Sequence, residues 1–139
     1  MIINKDYFNN SVFFDEKFFM YLENVDLCLR TKKKGGKIFI ITNSKVHHLG
    51  AQAVDDKHSE EIELSRNWHW MWSKLYFNKK HRGIFISSFL GLSSLVGNFL
   101  KYSFCLFTFN KKKNIYRTRM SGIINAFLGR QSWYRPKIN

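Results

Sequence analysis

Apolar positions recur at helical spacing along much of this chain, and one short run breaks that rhythm. Phe18, Leu22, Val25 and Leu29 fall at i, i+4, i+7 and i+11, which predicts one apolar helical stripe. Asn24 suits the N-cap, Glu23 and Asp26 lie near the positive end, and Lys32–Lys34 suit the last turn before a left-handed stop at Gly35-Gly36. Lys37–Thr42 (KIFIIT) reads instead as a short buried strand, with Val46–His48 extending the sheet and Gly50–Lys57 as a loop. Helical spacing returns from Glu60 to about Lys80, with Leu64, Trp68, Trp72 and Leu75 on one side and Arg66, His69 and Ser73 on another.

Residues 83–100 carry no charge, and up to Asn110 only Lys101 interrupts. Here the pattern is inverted: Ser87, Gly91, Ser94, Asn98 and Lys101 form a narrow polar stripe on an otherwise apolar helix. Eighteen uncharged residues reach the lower limit for a span of about 20. Both flanks are basic, Lys79–Arg82 before and Lys111–Lys113 after, and a single span would force one of them across the membrane. An interfacial helix, or a shallow hairpin with both ends on the cytoplasmic side, avoids that conflict; the interfacial helix, with basic flanks meeting anionic lipid, is favoured over a spanning or a core helix.

Charge separates the chain into two parts. Residues 1–63 hold all ten carboxylates and nine basic residues, net −1, whereas residues 64–139 hold fourteen Lys or Arg and no acid, net +14. A hydrophobic content of 45% and an aromatic content of 17% exclude a solvated tail. Cys28 and Cys105 are too few for a disulfide scaffold or a Cys-rich zinc site, and the histidines lack a zinc spacing. The N-terminus has no secretory signal core. The basic segment suits a nucleic-acid-binding module, but a recognition helix, RNP motif or zinc finger is missing and the basic surface would be broken by a long uncharged stretch.

The segment Phe14–Arg30 (FDEKFFMYLENVDLCLR) places carboxylates at a helix start behind a wall of aromatics, where a desolvated acid can act as a general base. Arg66 and His69, one turn apart, are candidates to contact a phosphate or a lipid-linked acceptor, and Trp68, Trp70 and Trp72 to stack on sugar or sit at headgroup depth. The same segment, followed by GGKIFIITNSKVHHLGAQ, resembles the C-terminal half of family 2 glycosyltransferases, nearest the bacterial rhamnosyltransferase-like group that builds cell-surface polysaccharide. Ser65–Lys80 and the ending GRQSWYRP are similar to later segments of such proteins.

The resemblance implies an α/β fold: an incomplete GT-A (Rossmann-like) half-domain followed by a mostly helical, membrane-associated C-terminal region. Residues 1–59 would be the acceptor-side part, 60–82 a Trp-rich helix, 83–110 an apolar interface or spanning helix, and 111–139 a basic tail. It implies an inverting transfer from a nucleotide-sugar donor to a glycan or lipid-linked acceptor at the cytoplasmic face of the membrane. A carboxylate would serve as base and a divalent Mg or Mn would hold the leaving diphosphate. Asn24 stands at the usual base position, which leaves Glu23 or Asp26 for the role, and His48 matches a histidine near the metal and diphosphate. No D-x-D motif is present. On this reading the chain is a fragment, inactive alone, that needs a donor-binding half. The alternative is a non-catalytic basic module that docks on membrane or nucleic acid.

Overall fold

The computed structural model describes residues 2–4, 8, 13–45, 47 and 58–136. They form four helices: α1 (Glu23–Lys33), α2 (Ser59–Arg82), α3 (Ile84–Phe107) and α4 (Lys113–Phe127). Among the described residues there is no strand, which overturns the α/β half-domain expected from the resemblance. The KIFIIT run takes no regular structure over residues 37–41, and its side chains point to solvent, with Phe39 79% and Ile40 89% exposed. β-Branched residues favour extended backbone, but a strand exists only where a neighbour completes its hydrogen-bond ladder, and none of the described residues does so. Val46, His48 and Gly50–Lys57 lie outside the described residues.

Helix α2 is the spine. Its Trp68, Trp72 and Leu75 join Ile123 and Ala126 of α4 in the core, and its opposite side is buried too, with His69 and Ser73 fully covered. Helix α4 runs alongside it: Arg119 Nε donates to Asn67 Oδ1, and Trp68 Nε1 donates to Ser121 Oγ. A Cβ on Gly122 would lie 2.5 Å from the Trp68 carbonyl oxygen, so glycine sets how closely these two helices approach.

After Gly83, in left-handed backbone at φ 87°, α3 folds back along α2, and Ser87 Oγ donates to the Leu75 carbonyl. Most of the stripe expected from the sequence packs inward: Ser87, Gly91 and Asn98 are buried and Ser94 is half-buried, while Lys101 at its far end is exposed; a Cβ on Gly91 would meet Phe127 at 2.5 Å and Leu75 at 2.7 Å. The apolar face points outward, with Phe85 88%, Phe89 74% and Phe104 68% exposed. The helix is therefore inside-out. It alone among the described residues is long and apolar enough to cross a membrane, and 17% of its most apolar stretch is buried.

Helix α1 does not use the face that its spacing predicts. Asp26 and Leu27 are buried while Val25 is 44% exposed, because the ion pairs of Asp26 turn that side of the helix toward α2. Nor does Asn24 cap it. The cap falls two residues earlier, at Leu22, without a side-chain hydrogen bond, and Asn24 Oδ1 accepts from the adjacent Val25 N–H. Gly35, at φ 82°, provides the left-handed stop.

Candidate functional site

The carboxylates before and within α1 meet the basic end of α2. Lys80 Nζ lies 2.8 Å from Asp15 Oδ2 and 2.7 Å from Asp26 Oδ1, so one ammonium bridges two acids from separate segments. Arg30 Nε donates to the other Asp26 oxygen at 2.8 Å, and its Nη2 donates to the Phe13 carbonyl. His81 Nε2 is 2.7 Å from Asp26 Oδ1, and its Nδ1 faces Lys33 Nζ at 3.5 Å. Because an ammonium only donates, Nδ1 accepts and the Nε2–H donates to Asp26. Tyr76 O–H donates to Asp15 Oδ2 at 2.8 Å, closing the network.

These contacts fix the acid–base character of the cluster. Burial by itself raises the Asp26 carboxyl, but hydrogen bonds from Lys80, Arg30 and His81, with the Lys80 charge, outweigh it and hold the group below its ordinary value. Asp15 follows the same pattern, desolvation being overcome by Lys80, the Lys17 backbone N–H and Tyr76. Burial and the adjacent Asp15 push the Tyr76 phenol well up. A carboxylate held anionic with all of its oxygens engaged is a strong anchor and a weak base.

Glu23 is different. It is half-buried in the first turn of α1, and its Oε2 is sealed from solvent without a hydrogen-bond partner among the described residues. The chain reaches it through two consecutive left-handed residues, Tyr21 at φ 69° and Leu22 at φ 67°, each costing about 1–2 kcal/mol. Tyr21 packs edge-on against Trp70, and Ser73 Oγ donates to the Met20 carbonyl at 2.7 Å, so α2 holds this turn in place.

The other residues singled out from the sequence are dispersed. Asn24 is exposed beside Glu23, and His48 lies outside the described residues. Arg66 is exposed, whereas His69, one turn on, is fully buried with Nε2 2.8 Å from the Tyr134 carbonyl and Nδ1 2.9 Å from Ser132 Oγ. Burial, reinforced by the Arg135 charge and opposed by the bond to Tyr134, lowers the His69 pKa. His69 thus pins the C-terminal segment and does not share a surface with Arg66. Trp68 and Trp72 are core residues, and Trp70 is 44% exposed.

Among the described residues no group of three His, Cys, Asp or Glu side chains is placed to hold a metal. Asp15 and Asp26 already face the Lys80 ammonium. The described residues therefore do not fit a Mg or Mn site.

Sequence reasoning missed Asp15, Tyr76, Lys80 and His81. Their one visible signal was the acid-rich start facing a Lys-Lys-His-Arg helix end, and complementary charge alone did not specify which residues pair.

No family model matches the chain, and no curated protein or solved structure matches it. The fold and site define a helical chain with a cross-linked acid–base cluster and one helix turned inside-out.

Proposed function

We propose that this chain docks on the cytoplasmic face of a membrane through the outward face of α3 and there forms an acceptor-side part of a family 2-like glycosyltransferase. The membrane half of the reading is carried by one observation: α3 buries Ser87, Gly91 and Asn98 and presents Phe85, Phe89, Leu92, Phe99, Leu100 and Phe104 outward. In water that orientation forfeits hydrophobic stabilisation, worth about 25 cal/mol for each Å² left uncovered, and lipid contact recovers it. Small residues at the helix contacts with polar groups bonded inward are the packing expected of a helix set against lipid. At 1.5 Å per residue α3 is about 36 Å long. Its ends carry Lys79 and Arg82 on one side and Lys111–Lys113 on the other, which suit anionic headgroups on one face of the bilayer and favour a helix lying in the interface.

The transferase half rests on the resemblance of Phe14–Arg30 to the glycosyltransferase segment, with the α/β half-domain set aside. Within it the base role falls to Glu23, whose carboxylate is in no ion pair among the described residues, since both Asp26 oxygens are committed to cations. Glu23 would take the proton of an acceptor hydroxyl as that oxygen attacks the anomeric carbon and the nucleoside diphosphate departs. Donor and acceptor remain a nucleotide sugar and a glycan or lipid-linked alcohol.

Flotation tests the docking. The chain is expected to float with anionic liposomes at low salt, and F85S/F89S to remain at the bottom of the gradient with unchanged helicity. Equal flotation of both proteins would contradict lipid contact through α3. For the chemistry, E23Q in an active transferase containing this segment should abolish turnover while leaving acceptor binding intact; normal turnover would remove Glu23 from the role.

A further inference from the structure

A cleft of about 710 Å³ opens between the N-terminal segment, α2 and the chain following α4. Its volume lies in the range of small-molecule sites. Lys17, Lys79, Lys80, Arg130 and Arg135 line it, and the only carboxylate in the lining is Glu16. Phe19, Trp72 and Tyr76 contribute aromatic wall. From these residues we infer that the cleft is a binding site for a phosphate monoester or diphosphate group. This site goes beyond membrane docking and transfer chemistry, and its first test depends on neither.

The cations fall into two sets. Three are already held. Lys80 is fixed by Asp15 and Asp26, the Lys17 ammonium lies 6.0 Å over the Tyr76 ring, and the Arg135 guanidinium stacks 3.6 Å from the Phe19 ring centre. Arg135 is further oriented by bonds from Nη1 to the Ser132 and Tyr134 carbonyls. Side chains ordered before the ligand arrives lose little entropy when it binds. The second set is Lys79 and Arg130, both exposed and with no ion pair among the described residues. Their charge is unpaired among the described residues, which leaves it open to a multiply charged anion entering the cleft. Guanidinium groups match phosphate oxygens bidentately, and ammonium groups supply point charge around them.

The Arg130 side is anchored to α2 as well. Trp72 Nε1 donates to the Arg130 carbonyl at 3.0 Å, and Ser132 Oγ meets His69. The wall carrying Arg130 and Arg135 is therefore set by buried contacts and does not depend on the ligand.

Calorimetric titration with inorganic pyrophosphate at constant ionic strength is the first arm of the test. The intact chain should bind, and K79Q/R130Q should weaken binding at least tenfold. The control K74Q/R117Q removes the same charge from exposed positions outside the cleft and should bind as the intact chain does. Unchanged thermal midpoints are expected for both pairs, since none of the four side chains makes an ion pair among the described residues.

The second arm compares vesicles of phosphatidylcholine containing equal mole fractions of phosphatidic acid, a monoester, or phosphatidylglycerol, a diester. Pyrophosphate binding lost only in K79Q/R130Q identifies a soluble phosphate ester as ligand. A preference for phosphatidic acid lost only in that variant, without pyrophosphate binding, identifies a lipid headgroup; either result supports the site. If K79Q/R130Q and K74Q/R117Q behave alike with both probes, the cleft is only part of a general positive field and the inference is overturned.

Discussion

The Lys80 ammonium lies 2.7 Å from the carboxylate of Asp26, a side chain with no exposure to solvent. Arg30 and His81 take its remaining hydrogen-bonding capacity, so this one acid fastens α1 to the end of α2. Removing one member of a buried ionic cluster leaves its partners uncompensated. D26N is expected to cost about 3 kcal/mol of unfolding free energy, measured by urea titration, with K80M similarly destabilising.

Acid should unfasten the same joint. The pKa values of Asp15 and Asp26 are both lowered from an ordinary 3.8, so their stabilisation is complete above that value and is lost as pH falls through the lower folded-state values. Unfolding free energy should therefore drop steeply below about pH 4. D15N should make that drop shallower.

His69 acts in a higher window. Its pKa is lowered from 6.5, so the unfolded chain takes up a proton before the folded one does, and stability present above pH 6.5 is lost as the pH falls below it. The groups facing it are Ser132, the Tyr134 carbonyl and the Arg135 charge, none of which favours the imidazolium as strongly as burial opposes it. The stability difference between the intact chain and H69Q should shrink from pH 7 to pH 5, read from paired denaturation curves (pH values of about this range bracket the histidine window).

Three glycines give a graded test of the packing. A Cβ at Gly122 meets the Trp68 backbone at 2.5 Å, so G122A should cost about 2 kcal/mol despite its better helix propensity. At Gly91 the obstacles are the side-chain ends of Phe127 and Leu75, which can shift, and G91A should cost less than G122A. Gly97 has nothing within 4 Å, and G97A should stabilise by about 1 kcal/mol. Thermal unfolding of the three variants in parallel provides the ranking.

Local signals proved most informative where a single helix carried them. The spacing of Leu64, Trp68, Trp72 and Leu75 set them along one side of a helix; the last three are in the core and Leu64 is half-buried, while His69 and Ser73 on another face are buried as well. The stripe from Ser87 to Asn98 was visible in the sequence, but its direction was not: a polar stripe on an apolar helix describes equally a wet edge or an inward seam. Only the neighbours Leu75 and Phe127 decide that it is the seam. KIFIIT failed as a strand for the complementary reason, since β propensity is local and ladder partners are not. The site was half legible. Asp26 was marked as chemically important, yet its partners Lys80 and His81 lie more than fifty residues away and no spacing rule connects them. The fold expectation drawn from the resemblance placed an α/β sheet where the described residues contain helices, turns and irregular chain.

A polarity-sensitive fluorophore on single cysteines of α3 tests the inside-out helix most directly. In a background carrying C28S and C105A, F89C and F104C place the dye on the outward face and S94C places it toward the α2 and α4 side. Adding anionic liposomes should shift the emission of the F89C and F104C conjugates to the blue and leave that of S94C unchanged. A shift at S94C with none at F89C and F104C would contradict lipid docking through the outward face of α3.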